Sequence, residues 1–190
     1  MTKLVLMIIL ASFCISCTSK KPYTDAMKLE LKDMYTKDMN AQKYDLKKAG
    51  RKSYSDSMRV EFDKVSKDNL IIAKKYFKEY GFPGIKENGK ETALNFWLIV
   101  QHGDHDVAFQ KKVLNAMKRE LKTQNVSSRN FAYLYDRVKK NENKPQLYGT
   151  QMVWDNKGVH SPYKLEAPET VNKRRAEMGL ESIEDYLKSF

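Results

Sequence analysis

Ala93-Leu94-Asn95-Phe96-Trp97-Leu98-Ile99-Val100, running straight into Gln101-His102-Gly103-Asp104-His105-Asp106, decides the fold of this 190-residue chain. The first eight residues are almost unbroken apolar sequence after the turn signal Asn88-Gly89. A helix apolar on all sides belongs in the middle of a core, so other helices must surround it. The six residues that follow form the densest polar cluster in the chain, at the end of its most hydrophobic helix. Side chains there are held by the core, half desolvated, and close to helix carbonyls that favour a protonated imidazole.

Working outward, Thr24-Asp25 starts a helix to about Gln42, with Met27, Leu31, Met34 and Tyr35 at helical spacing. Tyr44 to Ser55 is basic, contains Gly50 and lacks a period, which predicts a loop or frayed helix. From about Ser57 a long helical pattern carries Met58, Phe62, Val65, Ile72, Tyr76 and Tyr80, and Gly81 and Pro83 end it. Asp106 caps a helix to about Lys122, with Leu114, Met117 and Leu121 inward. Ser127 or Ser128 caps another, with the stripe Phe131, Leu134, Tyr135 and Val138. The period then changes: Gln146 to Trp154 and Val159 to Leu165 read as two strands around Asp155-Asn156-Lys157-Gly158. Pro168 opens a last helical stretch, interrupted at Gly179 and resumed from Ser182. The expectation is a mainly α-helical single domain over residues 24–190, with one C-terminal β-hairpin at about 146–165. There is no internal repeat and no low-complexity segment.

The N-terminus predicts an address. Lys3 precedes the ten-residue apolar run Leu4 to Phe13, then Cys14-Ile15-Ser16-Cys17. That is a secretion signal, too short to span a bilayer. It resembles the lipobox of bacterial lipoproteins, and Ser16 suits cleavage before Cys17 whereas Phe13 would block it before Cys14. Residues 1–16 are therefore expected to be a lipoprotein signal peptide, Cys17 the lipidated residue, and 17–23 a tether. The implied location is the cell envelope, anchored to membrane through Cys17. In a Gram-negative source, Thr18 after the cysteine favours the outer membrane, facing the periplasm. Cleavage leaves 190 − 16 = 174 residues with a single cysteine, so no intramolecular disulfide forms.

A formal charge of +11 favours anionic neighbours, such as lipid head groups or an anionic envelope ligand. Nucleic acid is not expected: export removes the chain from it, and Lys28, Lys32, Lys47, Lys74, Lys111, Lys118 and Lys139 spread over every helix as solvated faces. No aromatic and basic residues alternate as a base-stacking platform does. The sequence indicates neither a cofactor nor an oligomeric state, and it carries no recognised metal-ligand spacing.

Chemistry concentrates in three places. His102 and His105, with Asp104 or Asp136 to orient them, have the residue types for general acid/base work. They serve equally well as an ordinary helix end followed by a cap. Gln110 shares the inward face of Leu114, Met117 and Leu121, where a buried amide needs partners. Asp136-Arg137 lies beside its helix stripe, pointing by pattern to the edge as a surface ion pair. Pro145-Gln146-Leu147-Tyr148-Gly149-Thr150-Gln151 is the third place. Strand alternation puts Gln151 on one face with Leu147 and Val153, and Gly149 marks a bulge or close backbone approach. Familiar enzyme templates fail. The His-x-x-His spacing lacks the Glu of a zinc-protease helix, and in the order His102, His105-Asp106, Asp136 the first two elements are too close together for a metal phosphohydrolase of the HD type. Neither a phosphate loop, a nucleophile-elbow serine nor a catalytic cysteine is present.

Taken together, Gly81-Phe82-Pro83-Gly84, Trp97-Leu98, Gln101 to Asp106 with Phe109-Gln110, Tyr133-Leu134 with Asp136-Arg137, and Pro145 to Gln151 resemble an uncharacterised bacterial family of unknown function. Pro168-Glu169, Arg174-Arg175, Gly179-Leu180 and Tyr186-Leu187 fit its C-terminal pattern, so the likeness covers about residues 60–190. The resemblance implies motif positions at Gln101, His102, Asp104, Asp106, Gln110, Asp136, Arg137, Gln146, Tyr148, Thr150 and Gln151, with Asp68-Asn69 as a further pair. Gly103 and Val107 depart from that pattern, where alanine and proline are common. The resemblance brings no activity with it.

Three functions remain open. The first is a membrane-anchored lipoprotein binding a small ligand or envelope partner through a polar pocket. That pocket would gather His102, Asp104, Gln110, Asp136, Arg137, Tyr148 and Gln151, with Gln101, Gln146 and Thr150 beside them. The second is a hydrolase-like enzyme with His102 or His105 as general base. The third is an architectural motif needing no ligand.

Overall fold

The computed structural model describes residues 21–43, 45–48 and 51–189. The expected signal peptide, Cys17 and most of the tether lie outside the described residues, as do Tyr44 and Gly50. Five longer helices, α1 (Asp25–Ala41), α2 (Lys52–Tyr80), α3 (Ile85–Gln101), α4 (Val107–Glu120) and α5 (Ser128–Asn141), make the body of the domain. A two-stranded antiparallel hairpin follows, β1 (Met152–Trp154) on β2 (His160–Pro162), then α6 (Val171–Glu177) and α7 (Ile183–Leu187). Short 3-10 turns at Leu46–Lys48 and Pro168–Thr170 complete the described elements. The mainly helical single domain with a C-terminal hairpin is the fold the sequence leads one to expect.

The apolar helix α3 occupies the centre, packed by α1, α2, α4 and α5. Phe96, Ile99 and Val100 are fully enclosed, and Phe96 meets the rings of Tyr23, Phe77 and Phe82. Gly89 takes a positive φ of 83° inside α3 and kinks it, so Asn88-Gly89 is the turn its sequence signals. Helix starts follow the side chains that satisfy orphan N–H groups: Thr24 caps α1, Asp106 α4, Ser127 α5 and Ser182 α7.

Three local expectations change. Helix α2 begins at Lys52, earlier than Ser57, because Tyr54 and Met58 already present a half-buried side to the bundle. Tyr23, assigned by sequence to the tether, is buried: its backbone N–H donates to Asn88 Oδ1 at 2.7 Å and its hydroxyl donates to the Gly81 carbonyl at 2.8 Å. The first strand is far shorter than Gln146–Trp154. Only Met152–Trp154 pairs with the second strand, beyond an isolated parallel bridge between Gln146 and Leu165. Residues 147–151 are a loop whose N–H groups have a different acceptor, described next.

Candidate functional site

Asp136 organises that loop. Its carboxylate, fully buried on α5, accepts from the N–H of Leu147 (2.8 Å), Tyr148 (3.1 Å) and Thr150 (2.9 Å) and from the Thr150 hydroxyl (3.0 Å). The surface ion pair with Arg137 expected from pattern is absent. Burial pushes the Asp136 carboxyl up, while the N–H groups of Thr150, Leu147 and Tyr148 and the Thr150 hydroxyl pull it down. The loop's opposite edge is held by Arg175, the largest fully buried side chain among the described residues. Its guanidinium donates to the Tyr148 carbonyl (2.8 Å) and the Glu181 carbonyl (2.6 Å), and lies over the Tyr186 ring. Gly149, at φ 69°, fits between: a Cβ there would stand 2.7 Å from the Ile183 side chain. Gln146 closes the loop from inside, donating to the Gln151 and Tyr163 carbonyls and accepting from Gln151 N–H. Tyr148 packs its ring on Tyr135, and burial, followed by the charge of Asp136, pushes its phenol up to about 12.

A second network joins the end of α3 to α5. Asp104 accepts Arg137 Nε at 2.8 Å and pairs with Nη2 at 2.7 Å, a bidentate clasp, and also takes Asn141 Nδ2 at 2.7 Å. Partial burial disfavours the charged Asp104. Arg137, Asn141 and Gln110 outweigh it and hold the carboxyl below the usual range. Arg137 Nη1 also donates to Gln151 Oε1 at 3.1 Å, tying this network to the loop. Gln110, fully buried as its spacing predicts, donates to the Val100 and Gln101 carbonyls at 3.1 and 3.3 Å. It thereby satisfies the last carbonyls of α3.

The histidines separate. His105 is exposed, and Asp106 acts as an N-cap that also pairs with Lys74. His102 sits at the end of α3, with Nδ1 2.6 Å from Asp38 Oδ2 and its ring edge-on to Phe62. Neither Asp104 nor Asp136 orients it. The carboxylate is Asp38 of α1, 1 % exposed, which the sequence reading did not single out. The signal was present: Met27, Leu31, Met34 and Asp38 form one continuous helical stripe. Gln42 donates to the same Asp38 oxygen at 2.8 Å, whereas Asp38 Oδ1 has no hydrogen-bond partner among the described residues.

Several of these side chains face one cleft of about 310 Å³ between the end of α3, α5, the loop and α7. Gln101, His102, Arg137, Thr150 and Gln151, all expected from sequence, line it. Gln110, Gln146, Tyr148, Asp104 and Asp136 do not; they hold the frame behind it. Trp97, Tyr133, Trp154 and Tyr186 supply aromatic walls and Lys140 a cation; of these, Trp97, Tyr133 and Tyr186 belong to the family-like pattern without being expected at a site, and Trp154 and Lys140 carry no signal. Among the described residues no carboxylate lines the cleft. Lys140 is half-buried and has no ion pair among the described residues, and burial and then Arg137 push its ammonium down. Two polar atoms in the walls lack partners among the described residues: Trp97 Nε1, on a residue 8 % exposed, and Gln101 Oε1, on one 6 % exposed. A larger depression of about 600 Å³ lies elsewhere, around Phe77 and Phe109 with Lys74, Lys78 and Lys112. Its lysines are solvent-facing, Lys74 already meets Asp106, and no orphaned buried polar atom lies there. Among the described residues no group of three or more His, Cys, Asp or Glu is placed to hold a metal ion, and no helix is long and apolar enough to cross a membrane.

The model of DUF6624, a family of unknown function, matches residues 25–190. The match starts well before the motifs at residues 60–190 and takes in α1, the helix that carries Asp38. No curated protein and no solved structure matches the chain.

Proposed function

We propose, for a chain that belongs to DUF6624, a family of unknown function, that it binds a small anionic ligand in the cleft between α3, α5 and the 147–151 loop, as a lipoprotein held at an envelope membrane through Cys17. The observation that carries this reading is the pair of atoms without partners among the described residues, Trp97 Nε1 and Gln101 Oε1, in the walls of a cleft whose described lining holds the unpaired Lys140 and no carboxylate. A buried polar atom left unpaired costs about 1–3 kcal/mol, and it is retained where a ligand completes it. Asp136, Gln110 and Gln146 support the same reading from behind by fixing the walls.

The test is the unfolding midpoint of full-length protein with a panel of sugar acids, phosphate monoesters and dicarboxylates. A ligand at one hundred times its Kd adds about 2.7 kcal/mol. The expected result is a rise in wild type that is lost in Lys140→Ala. Gln101→Met is expected to leave the ligand-free midpoint unchanged or higher. No shift by any probe, together with a fall in Gln101→Met, would place the amide in the fold and remove the reading.

A second reading, hydrolysis with His102 as general base, is favoured by one contact, the 2.6 Å pairing of its Nδ1 with buried Asp38. That arrangement fixes the tautomer and leaves Nε2 without a partner among the described residues, open to a substrate proton. Under it, any ester or phosphate hydrolysis the protein performs is abolished in His102→Gln and survives in His105→Gln. Equal activity of the two variants would dismiss it. The stability effects also separate. His102→Ala strips a partner from buried Asp38 and is expected to cost about 2–4 kcal/mol, whereas His105→Ala stays within about 0.5 kcal/mol.

A further inference from the structure

Resting on that reading, we infer that the ligand class is an acidic saccharide: one or two sugar rings bearing a carboxylate, seated in the cleft with the acid at Lys140. The argument starts from what each wall demands. Arg137 is already clasped by Asp104, but Lys140, half-buried in the cleft lining and without an ion pair among the described residues, calls for a negative charge. Trp97 Nε1 calls for an acceptor and Gln101 Oε1 for a donor, since neither has a partner among the described residues. A fully ionised dicarboxylate only accepts and would leave Gln101 Oε1 orphaned, and inorganic phosphate, which keeps a P–OH donor at neutral pH, has no ring to set against the aromatic walls. A hydroxyl both donates and accepts, and a polyhydroxylated ring answers both atoms from one molecule.

The aromatic residues narrow the class further. Trp154 is 59 % exposed at the mouth, and Tyr133 and Tyr186 meet edge to face at 6.4 Å behind it. Flat apolar faces next to amides and a hydroxyl, here Gln151 and Thr150, match a ring with C–H groups on its faces and hydroxyls around its edge. At about 310 Å³ the cleft is at the lower end of small-molecule sites (~300–1,000 Å³), suited to one or two rings and too small for a folded partner.

The chain provides its own reporter, because its two tryptophans, Trp97 and Trp154, both line this cleft. Full-length protein titrated with digalacturonic acid is expected to show a saturable change in tryptophan fluorescence. Lactose, a neutral disaccharide, should bind at least tenfold more weakly, and so should digalacturonic acid to Lys140→Ala and to Trp154→Ala, the latter read by the midpoint shift. Inorganic phosphate or citrate should not saturate in the same range. If citrate binds as tightly as the sugar acid and loses affinity in Lys140→Ala, the saccharide inference falls and the anion-binding reading stands. Equal binding of lactose removes the acid from the inference. Silence of both saccharides overturns the inference, and the midpoint panel then decides the broader reading by itself.

Discussion

Replacing Asp136 with alanine is expected to destabilise the domain by about 3–5 kcal/mol, on the order of 10 °C in the unfolding midpoint of a domain this size. The carboxylate is fully buried and is the acceptor for Leu147, Tyr148 and Thr150 N–H and for the Thr150 hydroxyl. Alanine leaves those donors without an acceptor in a place where water enters only by opening the loop. Asp136→Asn keeps one acceptor oxygen but turns an NH2 group toward a donor, and should cost about 2–3 kcal/mol. The loss is expected to be local first. In Asp136→Ala the amides of Leu147, Tyr148 and Thr150 should lose hydrogen-exchange protection while those of Phe96 to Val100 keep theirs at low denaturant. Urea unfolding within 1 kcal/mol of wild type would mean that the loop holds its shape without the carboxylate. Because Thr150 and Gln151 form one wall of the cleft, the same substitution should weaken binding there even where the domain stays folded.

How much of this was legible in the sequence depends on which residue type faces inward. Where the inward stripe is apolar, periodicity and caps found the helices: Phe131, Leu134 and Val138 mark α5, and Thr24, Asp106 and Ser127 mark helix starts. Where the inward residue is charged, the reading failed in a consistent way. Asp38 continues the stripe of Met27, Leu31 and Met34, and Arg175 lies one turn after buried Val171, yet a charged residue is ordinarily a solvated one. Helix α5 has a second buried face, Ala132 with Asp136, that packs near Tyr148 and Leu180. A small residue and an acid give almost no hydrophobic signal, so Asp136 was placed at the edge. The strand expected from Gln146 to Trp154 is broken for a related reason: the N–H groups of Leu147, Tyr148 and Thr150 go to the Asp136 side chain of α5 and not to a neighbouring strand. Pairings such as Asp38 with His102 span 64 positions and leave no local trace. The candidate site was thus half visible. Gln101 and His102 stood out in the polar cluster ending the apolar helix, Gln151 as a polar residue on an apolar strand face, and Arg137 and Thr150 through the family-like motifs, whereas Lys140 and Trp154 looked like the rest of a basic, aromatic-rich chain.

Arg175→Ala should be the second large loss, about 3–5 kcal/mol, because it combines a cavity with broken hydrogen bonds. The side chain is fully enclosed, and its Nε and Nη1 reach the Glu181 and Tyr148 carbonyls, while its Nη2 has no partner among the described residues. Burial pushes the guanidinium down from its ordinary value, opposed by the charge of Glu181. Two substitutions separate the causes. Arg175→Met keeps most of the volume and removes a buried charge, so it should cost less than alanine. Arg175→Lys keeps the charge but cannot place donors at carbonyls on two sides of a planar fork, so it should not rescue. If lysine restores wild-type stability, charge alone is the requirement and the fork geometry is incidental. The decisive comparison is the double variant. Asp136 holds the N–H groups of the 147–150 stretch and Arg175 its carbonyls, so once one hand releases the loop, the other has less to hold. Urea unfolding of Asp136→Ala/Arg175→Ala is therefore expected to fall short of the sum of the single losses by about 0.5–3 kcal/mol. Strict additivity would mean that the two buried charges support separate parts of the fold, and that the cleft wall does not depend on their joint grip.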